Sequence, residues 1–272
     1  MSLQDSEPNP PPEPAEAKPL EVVPGSAEPG TEVAPDRVVA MTRATIRSVD
    51  FRKARFDRFT LASCLFLACD FRAIRFDKRW QPLFSARPQN VFRDCHFDGA
   101  DMRRVKADQA RFERCTFDNA ALDGWHTEAA EFIGCRFAGA LGKVTFYGKP
   151  SASLGRTLDP VRKRNDFVQN DFRDADLDGV VFTAGIPVLS QRWPSPERYV
   201  ILDHFPRRLA RAKEEIIRWD VQDERVAALD MLKDLAMRFR DQTEIIASRV
   251  SASGPAARVQ TRVWAALEHV ET

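Results

Sequence analysis

The sequence predicts a mainly β, stacked repeat fold, preceded by an acidic tail and followed by helices. Large apolar residues recur every five positions, at Ile46, Phe51, Phe56, Leu61, Phe66, Phe71 and Phe76. A strand repeats every two residues and a helix about every 3.6, so a period of five fits neither. A fixed repeat of this kind marks a quasi-one-dimensional stack. The series resumes at Phe92, Phe97, Met102, Ala107, Phe112, Phe117 and Leu122, then at Phe132 and Phe137, and again at Phe167, Phe172, Leu177 and Phe182. Cys95, Cys115 and Cys135 lie twenty residues apart, as do Phe92, Phe112 and Phe132, which predicts side-chain ladders on a twenty-residue turn.

Residues 1–37 are a different material. They hold nine of the eighteen prolines and eight acidic residues against Lys18 and Arg37, with no aromatic. That composition predicts a disordered Pro/Glu-rich tail. It serves either as a solubilising leader or, through PNPPPEP, as a ligand for a partner domain. The start MSLQDSEP is acidic and lacks an apolar segment, and no run reaches the roughly eighteen apolar residues of a membrane helix. The expectation is a cytoplasmic protein with no membrane contact.

Residues 38–190 carry the repeat. Two places before each central residue stands a small apolar one, among them Ala44, Cys64, Cys69, Cys95, Ala110, Cys115, Ala130 and Cys135. The remaining positions are polar or charged. A large and a small inward residue alternating is how a narrow interior fills without voids. The triplets Ala100-Asp101-Met102, Cys69-Asp70-Phe71, Asn170-Asp171-Phe172 and Ala175-Asp176-Leu177 complete the pattern. In these triplets the chain resembles the pentapeptide-repeat proteins, over about residues 44–184. The resemblance implies a right-handed quadrilateral β-helix of about five coils, stacked at roughly 4.8 Å. In that register Phe51, Phe56, Phe66, Phe71, Phe76, Phe92, Phe97, Phe112, Phe117, Phe132 and Phe137 form the core with Cys95, Cys115 and Cys135. Phe112→Ala is then expected to cost about 3–5 kcal/mol, and Arg111→Ala, in an outward column, under about 0.5 kcal/mol. The cysteines read as packed, reduced thiols rather than disulfides or metal ligands, and no cofactor is implied.

Interruptions of the repeat are the candidate contacts. An insertion near 77–89 carries Arg79, Trp80 and Phe84, residue types that dominate binding hot spots. Trp125 falls in a small slot with Thr127 in the large one, which predicts an outward bulge that exposes the indole. Residues 141–165 show no clear repeat, read as a partly looped-out coil with Phe172 in register with Phe132, and collect Lys149, Arg162, Lys163 and Arg164.

Residues 195–272 switch to a helical period. Leu209, Ile216 and Trp219 mark one helix. Val226, Leu229, Leu232, Ala236, Phe239, Ile246 and Val250 mark a second, and Val259, Val263, Leu267 and Val270 a third, after Gly254-Pro255. Such helices cap the open end of a stack, form a homodimer surface, or both.

No phosphate loop, GxSxG or HExxH motif is present, which points away from an enzyme. The expected function is a non-enzymatic protein–protein interaction or scaffold module for an unidentified protein partner. Two alternatives remain. The first, implied by the resemblance, is a topoisomerase (gyrase) modulator that imitates DNA. Residues 38–194 hold 26 Lys and Arg against 19 Asp and Glu, a net +7, where DNA imitation needs a strongly acidic surface. The second is nucleic-acid binding through the basic loops, which the interleaved acids disfavour.

Overall fold

The structure is a computed structural model that describes residues 38–52, 58–74, 88–103, 106–249 and 255–269. The period of five has a local cause. Around Phe112, Arg111 and Glu113 point outward from a three-residue strand, Arg114 turns the corner at φ +51°, and Cys115 is buried. Three strand residues, a left-handed corner and a small inward residue make five. Corners recur with positive φ at Arg43, Ser48, Ser63, Ala68, Asp94, Asn119 and Gln169. Each non-glycine corner opposes the backbone by about 1–2 kcal/mol. At Gly139, φ is +80° and an added Cβ would lie 2.3 Å from Asn119 Oδ1, so a larger residue would strain the backbone and displace the Asn119 side chain.

In chain order the strands are β1 (Val38–Thr42), β2 (Thr45–Arg47), β3 (Arg58–Ala62), β4 (Leu65–Leu67), β5 (Val91–Arg93), β6 (Arg111–Glu113), β7 (Thr116–Asp118), β8 (Glu131–Ile133), β9 (Arg136–Ala140) and β10 (Thr145–Tyr147). A short helix α1 (Ala152–Gly155) separates them from β11 (Phe167–Val168), β12 (Asp171–Asp176) and β13 (Val181–Thr183). All of these pair in parallel with the strand one turn away, giving a β-helix-like stack. The longest ladder runs β2-β4-β5-β6-β8-β11, and β7-β9-β12 forms the next face.

The core is two aromatic columns. Phe66, Phe92, Phe112 and Phe132 stack at 4.8–5.2 Å along the six-stranded ladder. Phe51, Phe71, Phe97, Phe117, Phe137 and Phe172 stack at 4.6–5.1 Å on the neighbouring face. Between columns the rings meet edge to face, the other favoured aromatic geometry. Each buried phenylalanine contributes about 1.5–3 kcal/mol. Cys69, Cys95, Cys115 and Cys135 are fully buried, and all five cysteines are free thiols. Phe56 and Phe76 lie outside the described residues.

The structure corrects three expectations. Trp125 does not bulge outward: it is 2% exposed, with its ring 5.5–5.8 Å from Phe112, Phe117 and Phe132. Ala107 and Thr127 occupy the large slots of successive turns on one face, and the indole fills the volume they leave. The looped-out segment begins after Tyr147 rather than at Leu141, because buried Val144 and Phe146 continue the stack and Phe146 packs on Phe182 at 5.5 Å. Phe167, not Phe172, therefore pairs with Phe132, and Phe172 stacks on Phe137.

The last turn is closed by side chains from the C-terminal region, which contains β14 (Tyr199–Leu202), α2 (Phe205–Ile216), α3 (Gln222–Arg238), β15 (Ile245–Ser248) and α4 (Pro255–Glu268). Trp193 stacks on Phe172 at 5.0 Å as a final rung. Gln242 Oε1 accepts from the backbone N–H of Gly185 and Ile186, and Glu244 Oε2 from that of Leu189. Ile246 belongs to β15, which pairs antiparallel with β14, and not to the preceding helix. The chain must leave α3 for Gln242 to reach the rod. Val226, placed in the apolar stripe by its spacing, is 52% exposed. No helix among the described residues is long and apolar enough to cross a membrane.

Candidate interaction surface

At one corner of the rod, small slots that elsewhere hold Ala or Cys hold asparagine. Asn90 is buried, accepts from Cys64 N–H at 2.9 Å and donates to the Leu61 carbonyl at 3.1 Å. Asn165 donates to the carbonyls of Glu128 and Tyr147, both at 2.9 Å. Each side-chain amide replaces ladder bonds that an interruption of the repeat removes, as buried backbone groups require. The signal for these anchors in the sequence is an amide in a slot otherwise reserved for small apolar residues. A ruler that counts only apolar positions does not register it.

The 148–165 loop leaves β10 at Gly148, where an added Cβ would sit 2.5 Å from the Gly185 carbonyl carbon. It then runs back along the corner toward earlier turns. Asp159 N–H donates to Gln109 Oε1 at 2.8 Å, and the Asp159 carbonyl accepts from Gln89 N–H at 2.9 Å. Gln89 directly follows the other interruption, so the fold brings the exits of both to one place.

Buried Glu131 pins this meeting point. Its carboxylate accepts from Gln89 Nε2 at 2.7 Å, from Asp166 N–H at 3.0 Å and from Arg111 at 3.3 Å, with Arg162 Nε 3.7 Å away. Arg111 also reaches Glu113 at 2.6 Å and Asp166 at 2.8 Å. Burial works against its charge, but these carboxylates hold the Arg111 guanidinium above its ordinary value. Burial pushes Glu113 up, yet hydrogen bonds from Arg111 and Arg93 hold it below the usual carboxylate range. Arg111 is thus a structural tie rather than a solvated column residue, which corrects the expectation of a silent alanine substitution.

The expectation for Arg162 changes too. Its side chain is 12% exposed and donates to the Ala129 carbonyl, so it anchors the loop instead of presenting it. Burial pushes its guanidinium down, with Glu131 opposing. What the loop presents is Lys149, Arg156, Lys163 and Arg164, all exposed, beside Val161 at 69% exposed. Among the described residues none of the four cations has an ion-pair partner. Trp125 belongs to the core, and Arg79, Trp80 and Phe84 lie outside the described residues.

Burial pushes the thiols of Cys64 and Cys115 up, away from the reactive thiolate. Among the described residues no group of three or more His, Cys, Asp or Glu side chains could hold a metal ion. A second concavity, about 820 Å³, lies between the last turn and the helices and is lined by Leu177, Phe182, Met231, Leu235, Ile246 and Trp264.

No curated protein matches the chain. Residues 91–124, the stretch spanning β5 to β7, match the family model described as Pentapeptide repeats (8 copies). With the five-residue ruler and its stacked ladders, that match supports the pentapeptide-repeat family over this stretch of the chain.

Proposed function

We propose that the chain is a non-enzymatic interaction module that presents the 148–165 loop to an acidic protein surface. The rod behind it is read as the right-handed quadrilateral solenoid of about five coils that the family implies. One observation carries the reading: four cations without an ion-pair partner among the described residues sit on a loop pinned from beneath by Glu131, Arg162 and Asn165. A surface ordered before binding loses less conformational entropy on binding. The enclosed free thiols suit a reducing, cytoplasmic setting.

The DNA-imitating alternative is weakened by the state of the acids. Asp50, Asp70, Asp101 and Asp171 each hold the arginine two residues on, leaving nearly neutral pairs. Nucleic acid is favoured by one specific feature, since unpaired cations also neutralise phosphates.

Affinity capture from native cytosol tests the proposal, comparing the full chain with a K163E/R164E variant. Retained partner should fall about tenfold, a change of about 1.4 kcal/mol, with an unchanged unfolding midpoint. Equal capture by both proteins rejects the loop as the contact. Binding of duplex DNA or RNA that the variant abolishes, without any protein capture, would install the nucleic-acid reading instead.

A further inference from the structure

We propose that the chain's own acidic N-terminal segment, residues 1–37, is a ligand of the basic loop and covers it in the free protein. The inference rests on the reading of that loop as a contact surface. Charge supplies the attraction: the segment carries eight acidic residues against Lys18 and Arg37, and the loop offers Lys149, Arg156, Lys163 and Arg164 without ion-pair partners among the described residues. On the flat faces Arg52, Arg72, Arg103 and Arg173 are already held by Asp50, Asp70, Asp101 and Asp171, whereas the loop gathers its cations within one segment.

Geometry makes the contact reachable within one chain. The segment ends at the start of β1, and Arg43, exposed and without an ion-pair partner among the described residues, follows that five-residue strand, about 17 Å further on. Arg43 precedes β2 and the loop precedes β11, and both strands belong to the six-stranded ladder, so they share a corner. From β2 to β11 is five ladder steps, about 24 Å at roughly 4.8 Å each. The loop returns as far as Gln89, just before β5, only two steps from β2 or about 10 Å. An extended proline-rich chain covers about 3.1 Å per residue, so about thirteen residues span both the length of β1 and the whole ladder distance. Proline restricts its own backbone, and a ligand rich in it loses less entropy on docking.

Carbodiimide cross-linking of the full chain tests this. The reagent condenses a lysine amine with a carboxylate, losing water to form an amide, only where the two already touch. Mixing isotopically heavy and light protein separates links within a copy from links between copies. Lys149 and Lys163 should join Asp and Glu of residues 1–37 within one copy, and raising salt to about 0.5 M should cut the yield about tenfold. An R156E/R164E variant keeps both lysines and should lower the yield at both. Links that fall instead on Lys213 of α2, links only between copies, or an unchanged yield in the variant would each overturn the proposal. If K163E/R164E loses external capture while no internal link forms, the contact surface stands and the covering fails. Internal links together with capture that ignores the loop substitutions would keep the covering and reject the contact surface.

Discussion

The flat faces and the looped corner of this rod use the same arginines in opposite states. On the faces, an Asp and an Arg two positions apart flank several inward residues, so Asp70 and Arg72, or Asp171 and Arg173, meet at 2.5–2.6 Å. Their charges cancel locally, whatever lies outside. At the corner, Arg162 is drawn inward by Glu131 and the Ala129 carbonyl, while its neighbours Lys163 and Arg164 are exposed and have no ion-pair partner among the described residues. Composition counts both kinds of arginine alike, and so says little about either.

The contrast between interior and surface should break first and hardest. Phe112→Ala and Trp125→Ala should each cost about 3–5 kcal/mol in urea unfolding, since both empty a packed aromatic column. A small effect at Trp125 would mean the indole is not filling the space left by Ala107 and Thr127.

Arg111→Ala comes next, at about 2–3 kcal/mol, because it leaves the buried Glu131 carboxylate short of a partner. Hydrogen exchange at residues 149–164 should quicken in the same variant. A cost indistinguishable from that of an exposed residue would restore the simple outward-column picture.

Acid should act on the same tie. Glu113, like Asp70 and Asp171, is held below the ordinary carboxylate range. A depressed carboxylate stabilises fully above its unfolded pKa, near 4 for Asp and Glu, and loses that contribution as pH falls through the lower folded value. Stability should therefore decline below about pH 4, and Arg111→Ala should flatten the decline. An identical acid profile in the variant would mean that Glu113 and Arg111 play no part in it.

The smallest effects belong outside. Arg72→Ala should leave the unfolding midpoint unchanged, its pair with Asp70 being solvated. Lys163→Ala and Arg164→Ala should stay within about 0.5 kcal/mol while weakening partner binding more at low salt than at high salt. A face residue that mattered more for binding than these two would invert the comparison.

Much of the fold could be read before any coordinates because its cause is local. Phe92, Phe112 and Phe132 announce the ladder by their spacing, and Cys95, Cys115 and Cys135 announce the small column beside it. The helical region was less legible. The 3.6-residue ruler carries the second helix through Val250, but the hydrogen bonds that Gln242 accepts from Gly185 and Ile186 on the last turn go with a helix that ends at Arg238. Of the candidate contacts, Lys149, Lys163 and Arg164 were visible as exposed charge, whereas the anchors Asn90, Gln109 and Glu131 looked like ordinary repeat positions.

Sequence alone settled the repeat, its twenty-residue turn and which side chains could face inward, since a strand triplet, a left-handed corner and a small residue follow one another along the chain. Tertiary structure alone decided that Trp125 goes in, that Arg162 ties rather than binds, and that the 148–165 loop folds back to Gln89. Those outcomes depend on volume and charge left by residues a turn or more away. Ala107 makes room for an indole eighteen positions later, and Glu131 waits for an arginine thirty-one positions on. No local period carries that information, because it exists only once the turns are stacked.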